Sequence, residues 1–352
     1  MGADTREVSP ALTFDASALA EYLRRHLRDL HGPLSVAQFE GGQSNPTYLL
    51  TAADGRRLVL RRKPPGKLLP SAHAVDREFR VMRALGNGGF PVPQMRLLCL
   101  EEGVIGTPFY VMDFVEGRIL WDPFLPGMPP AGRAAIYDEM NRVIAALHGL
   151  DPAARGLADY GKPRDYIARQ IARWTQQYRA SETETIPAMD KLIDWLPAHV
   201  PPGDETAIVH GDYRIDNVVF DPARPRILAV LDWELSTLGH PLADFAYHCM
   251  VWRLEPGQFR GLAGGDLRAL GIPAEADYVA RYCERTGRAT VSAGDWEFYM
   301  AFNMFRLAGI LQGVLARALQ GNASSAHALD AGRRARPLAQ AAWAQVERVF
   351  GH

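Results

Sequence analysis

Cysteine is scarce. The 352 residues hold three, Cys99, Cys249 and Cys283, which are far apart, odd in number and free of any C-x-x-C pair. This argues against a disulfide framework and a thiolate zinc site, and it predicts a reducing, cytoplasmic setting. An excess of charge is missing too: 39 basic side chains face 40 acidic ones, a formal net charge of -1. Bulk electrostatics therefore predict neither a nucleic-acid nor a membrane surface, and a small molecule is the expected partner. The most apolar stretch, "FYMAFNMFRLAGILQGVLARAL" from 298 to 319, is interrupted by Asn303, Arg306, Gln312 and Arg317. A membrane span needs about 20 predominantly apolar residues, so a buried helix is predicted instead. The opening "MGADTREVSPALTF" lacks the basic region and apolar run of a signal peptide. No repeat is evident, and "GNASSAHALDAGRRARP" at 321–337 reads as a polar connector.

A hydrophobic content of 47% over this length is enough for a large core and more than one lobe. Residues 15–31 place Leu19, Leu23 and Leu27 on one helical face. Strand patterns follow in "LSVAQFEG", "PTYLLTAADGRRLVLRRK", "MRLLCLEEG" and "PFYVMDFVEG", with "ADG" as a hairpin turn and a helix over "AVDREFRVMRALGNGG". After Gly117 long helical patterns take over, interrupted by short strands at "TAIVHGD", "NVVFD" and "RILAVLDWE". The expected division is a β-rich lobe over 1–115 and a larger helical lobe over 116–352.

The chemistry concentrates in "VHGDYRIDNVVF". His210, Asp212 and Asn217 form H-x-D-x4-N, and Asp232 ends the next apolar strand. Phosphoryl transfer needs one carboxylate to orient or deprotonate the attacking hydroxyl, and separate oxygen ligands for Mg²⁺ on the nucleotide phosphates. Asp212 fits the base, while Asn217 and Asp232 fit the metal ligands. Each alone has a plainer reading, as a turn cap, a left-handed loop residue or a strand-end ion pair. His210 reads as a structural imidazole beneath the loop, and Glu234 as a solvated or capping carboxylate.

"VHGDYRIDNVVF" followed by "VLDWELSTLGHPLADFAY" resembles the aminoglycoside phosphotransferase family, a branch of the protein-kinase-like fold. "LRRKPPGKLLPSAHAVDREFRVMRAL" is similar to the kinase domain that some proteins fuse to an acyl-CoA dehydrogenase. The resemblance implies an α+β, bilobal protein-kinase-like fold with a small antiparallel-sheet lobe, and ATP and Mg²⁺ as cofactors. In "GGQSNPTYLL" it makes Gly41, Gly42, Ser44 and Asn45 the nucleotide loop, although the same residues alone read as a plain hairpin. It gives the strand lysine of kinases a counterpart in Arg61, with Arg62 as rival. Strand alternation sets Arg61 and Lys63 on one face and Arg62 on the other. Glu78 becomes the helix partner of that cation, against the plainer reading of a surface carboxylate. The carbonyl of Asp113 and the amide of Val115 become the adenine contacts, Met112 lines the pocket, and Asp244 braces the catalytic loop.

The implied activity is phosphate transfer to a hydroxyl of a small molecule, with a hydroxyacyl-CoA-type acceptor favoured over polycationic aminoglycosides. No "APE"-type segment supports a protein kinase. A catalytically silent nucleotide-binding module is the alternative raised by arginine in place of lysine. A metal-dependent phosphoesterase would require further ligands at short spacing, which are not found.

Overall fold

The computed structural model describes residues 5–40, 45–66, 73–320 and 328–351, apart from the side chains of 258 and 259. The chain forms two compact units. The first comprises Met1–Ile119, Arg155–Leu157 and Asn217–Leu235, and the second Leu120–Ala154, Ala158–Asp216 and Ser236–His352. The first unit thus extends slightly past the expected boundary at 115 and also takes in the later segment that carries Asn217 and Asp232.

In the first unit, β1 (Thr5–Arg6), β2 (Leu34–Phe39), β3 (Thr47–Ala52), β4 (Arg57–Arg62), β5 (Met95–Cys99) and β6 (Phe109–Asp113) make one antiparallel sheet in the order β1-β2-β3-β4-β6-β5. The β3–β4 turn closes through Gly55, whose φ of +84° suits a residue without Cβ, and through Asp54, whose carboxylate accepts from the Arg56 amide. Helix α1 (Ala16–His26) starts where Asp15 accepts from the amides of Ser17 and Ala18. Its Leu19 and Leu23 share a core with Tyr48, Leu50, Leu58 and Leu60. Helix α2 (Val75–Asn87) packs against β5 and β6.

The second unit is mostly helical, with α3 (Pro130–His148), α4 (Tyr166–Ala180), α5 (Pro187–Ala198), α6 (Pro241–Cys249), α7 (Pro256–Phe259), α8 (Leu267–Leu270), α9 (Glu275–Thr286), α10 (Ala293–Leu319), α11 (Ala328–Gly332) and α12 (Ala335–Phe350). Strand β7 (Ala207–Val209) pairs there with β10 (Thr237–Gly239), whereas β8 (Val218–Phe220) and β9 (Ile227–Val230) form a hairpin in the first unit. Helix α10 has the length and apolarity to cross a membrane, yet 83% of its most apolar window is buried. It packs against α4, α6, α11 and α12, as a central core helix does. Part of the expected polar connector is helical: in α11, Gly332 lies so close to Leu315 that an added Cβ would sit 2.5 Å from the leucine Cβ. Small residues let that helix dock where composition alone suggested a loop.

Candidate active site

Strand β7 is buried throughout and delivers the chain to His210, Gly211 and Asp212. Gly211 takes a φ of +83°, which side-chain-bearing residues disfavour, so the loop turns sharply at glycine. Asp244, in the first turn of α6, accepts from the amides of His210 and Gly211, both at 2.8 Å. His148, at the end of α3, reaches the same carboxylate at 3.1 Å and contacts the Tyr282 hydroxyl at 2.7 Å through its other ring nitrogen. Burial opposes ionisation of Asp244, but the hydrogen bond and charge of His148 outweigh it and hold the carboxyl below its ordinary range. From α10, Arg306 donates to the Gly211 carbonyl at 2.8 Å. The buried His210 ring accepts the Asp212 amide at Nδ1, 3.2 Å away.

Asp212 is thereby held by its backbone, and its side chain is held as well. Its Oδ1 accepts the Tyr247 hydroxyl at 2.6 Å and meets Arg214 Nε at 3.1 Å. Burial and the Asp212 charge push the Tyr247 phenol far above its usual range, so it remains a donor to the carboxylate. A carboxylate held from two directions is oriented before any ligand arrives.

The first unit carries a second cluster. The β8–β9 ladder pairs Val218 with Val230, and the Leu231 amide donates to the Asn217 carbonyl at 2.8 Å. This register brings Asn217 beside the strand end that carries Asp232. Asp232 adopts a φ of +63°, a left-handed conformation that costs a non-glycine residue about 1–3 kcal/mol and is often found at functional positions. Its Oδ1 lies 2.8 Å from Arg61, which also reaches Glu234 at 3.0 Å and Glu78 at 3.2 Å. Glu234 is therefore an ion-pair partner of Arg61 and not the solvated carboxylate that its sequence position suggests.

Glu78 is 1% exposed, which removes the surface reading. It accepts Asn45 Nδ2 at 2.9 Å and the Tyr110 hydroxyl at 3.0 Å. Burial, only partly offset by Arg61, raises its pKa to about 7. Asn45, expected as a phosphate donor, is instead fully buried against Glu78, and its Oδ1 faces His73 Nδ1 at 2.9 Å. Arg62 points to the other sheet face, donating to the carbonyls of Ile105 and Leu12 beside the Phe14 ring. Arg61 is the cation of this cluster.

On β6, the Asp113 carboxylate is taken by Arg96 through two contacts of 2.7 Å. Among the described residues no hydrogen bond engages the Val115 amide. Met112 is buried in the strand. Gly41, Gly42 and Ser44 lie outside the described residues. Asn217 and Asp232 together offer an amide and a carboxylate, hard oxygen donors that suit Mg²⁺, an ion that takes one or two protein ligands and completes its shell with phosphates and water. No group of three or more His, Cys, Asp or Glu residues forms an all-protein metal site among the described residues.

The sequence did not reveal His148, Tyr247, Arg306 or Tyr110. Tyr247 closes the "HPLADFAY" stretch and the other three lie in no local motif, and each gains its role from a partner far along the chain.

A family model described as the phosphotransferase enzyme family matches residues 35–297. Acyl-CoA dehydrogenase family member 10 of Mus musculus is 50% identical over 97% of this chain, which spans only 32% of that protein's length. A crystal structure from Ralstonia eutropha JMP134, provisionally described as an aminoglycoside phosphotransferase, is 58% identical, with a TM-score of 0.87 over 96% of this chain and 99% of its own. Choline kinase from Cryptosporidium parvum, at 14% identity, shares the fold, with a TM-score of 0.61 over 96% of this chain and 97% of its own. With its antiparallel-sheet unit, its mostly helical unit and its Asp212, Asn217 and Asp232 in sequence order, the chain has the α+β protein-kinase-like fold and belongs to the phosphotransferase enzyme family.

Proposed function

We propose that the chain moves the γ-phosphate of ATP, with Mg²⁺, to a hydroxyl of a small molecule, and that the acceptor is a hydroxyacyl-CoA-type compound. The observation that carries this reading is Asp212 itself: a carboxylate on a loop tied down by Asp244 and Arg306, and oriented by Tyr247. In the reaction Asp212 orients the acceptor hydroxyl and takes its proton as the new oxygen–phosphorus bond forms, while the bond from the γ-phosphorus to the bridging oxygen breaks and ADP leaves. Asn217 and Asp232 would hold Mg²⁺, which neutralises charge on the phosphates when bound. Arg61, always charged, keeps Asp232 in position and offers donors to phosphate, with Glu78 fixing its direction. The Asp113 carbonyl and Val115 amide would read adenine. Supporting the acceptor class are the relatives whose names carry acyl-CoA dehydrogenase. The three cysteines, all free and buried, suit a reducing compartment such as the cytoplasm.

A second reading, a catalytically silent nucleotide-binding module, draws on Arg61 standing where kinases use lysine and being engaged by both Asp232 and Glu234. Mass spectrometry of a metabolite panel incubated with Mg-ATP, including hydroxyacyl-CoA compounds and amino sugars, separates the two. Enzymatic transfer is expected with a hydroxyacyl-CoA and is expected to be lost in Asp212→Asn. Nucleotide binding with phosphate transfer or slow ATPase unaltered by that substitution would sink the enzyme reading.

A further inference from the structure

The second unit holds a pocket that begins two residues past the base. It is small and mostly apolar, and Tyr137, Arg214, Asp216, His248, Val251 and Arg260 are among the residues that line it. Its charged groups form a continuous chain. Arg260 ion-pairs with Asp216, Asp216 meets Arg214 at 3.4 Å, and Arg214 meets Asp212 at 3.1 Å. Asp216 is nearly covered, with a side chain 6% exposed, whereas that of Arg260 is 47% exposed. His248 adds no charge at neutral pH, because burial lowers its pKa to about 4. The two guanidiniums are thus balanced by the carboxylates of Asp212 and Asp216, and of the four side chains that of Arg260 is the most open to solvent.

Arg260 is also held in an uncommon way. Its φ is +52°, a left-handed conformation uncommon for a residue with a side chain. The loop around it is closed by backbone bonds from Leu262 to Val251 at 2.6 Å, Ala263 to Leu254 at 3.0 Å and Gly261 to Glu255 at 3.3 Å. Gly261 permits that closure, since an added Cβ would lie 1.7 Å from the Leu254 carbonyl oxygen. The guanidinium sits 5.1 Å over the ring of Trp121, itself 58% exposed.

We infer that Arg260 is a specificity-determining residue that receives an anionic group of the acceptor, a phosphate or carboxylate, with Trp121 beside it as an aromatic surface for the adjoining part of the molecule. This rests on the phosphotransferase reading above and adds the charge class of the acceptor. An arginine accepts an oxyanion with several donors at once, and only one is needed to keep Asp216.

The test compares a hydroxybutyryl-CoA with its uncharged N-acetylcysteamine thioester as acceptors for the wild type, Arg260→Ala and Arg260→Lys. The expected result is a KM for the CoA thioester raised at least about tenfold in Arg260→Ala and partly restored in Arg260→Lys, with the KM for the neutral thioester unmoved. An equal change for both thioesters, or no change for either, overturns the inference. If the wild type phosphorylates neither thioester, the acceptor class proposed above has failed, and Arg260 is judged by binding of coenzyme A followed through tryptophan fluorescence. A saturable signal lost in both Arg260→Ala and Trp121→Phe then supports the anion site, and equal affinity in wild type and Arg260→Ala overturns it.

Discussion

Replacing Arg61 with alanine removes the cation on which Glu78, Asp232 and Glu234 converge. The decisive partner is Glu78, whose side chain is 2% exposed and whose pKa burial raises from 4.5 to about 7 despite Arg61. Because the folded value lies above the unfolded one, the stability that Glu78 contributes is fully present below about pH 4.5. It is lost as pH rises through about 7, to a total of roughly 3 kcal/mol. Without the guanidinium the folded value moves higher still, so the loss continues at pH values where the wild type has levelled off. The gap between wild type and Arg61→Ala should therefore widen above pH 7, by up to about 1.4 kcal/mol per pH unit. Removing one partner of a buried pair costs about 3–5 kcal/mol, which sets the ceiling. Asp232 and Glu234 have side chains 33% and 24% exposed, and solvent screening keeps their share small. Urea unfolding at about pH 6 and about pH 8 measures the gap, with Glu78→Gln in the Arg61→Ala background expected to abolish its pH dependence. Arg62→Ala should destabilise through its lost carbonyl and ring contacts, with no such dependence. A gap for Arg61→Ala that stays constant across this range refutes the reasoning.

Asp232→Ala should abolish turnover, and wild-type rates at saturating Mg-ATP would disprove its role. Tyr247→Phe removes the 2.6 Å donor to Asp212, and kcat is expected to fall by roughly tenfold with the KM for ATP unchanged, which steady-state kinetics would read. An unchanged kcat would mean that Arg214 alone suffices to orient Asp212. In Gly117→Ala the new Cβ would lie 2.4 Å from the Phe220 carbonyl oxygen, so denaturant titration should show a loss of about 1–3 kcal/mol; a neutral result would mean that the β8 strand end yields.

The sequence by itself determined whatever is encoded at short range. The H-x-D-x4-N spacing set Asp212 and Asn217 five residues apart on one loop, the apolar run before Asp232 made it a strand end, and strand alternation separated Arg61 from Arg62. The two-part composition, β-rich and then helical, was visible for the same reason, because helix and strand periods repeat within a few residues. Tertiary structure alone decided the partnerships. Asp244 meets His148 across 96 positions and Glu78 meets Asn45 across 33, and no local pattern marks either. Packing also reversed two plain readings: burial turned Glu78 from a surface carboxylate into one with a pKa near 7, and the approach of Arg61 turned Glu234 into an ion-pair partner. Such effects depend on which groups lose water together, and that is settled when distant segments pack, not by the order of residues along the chain.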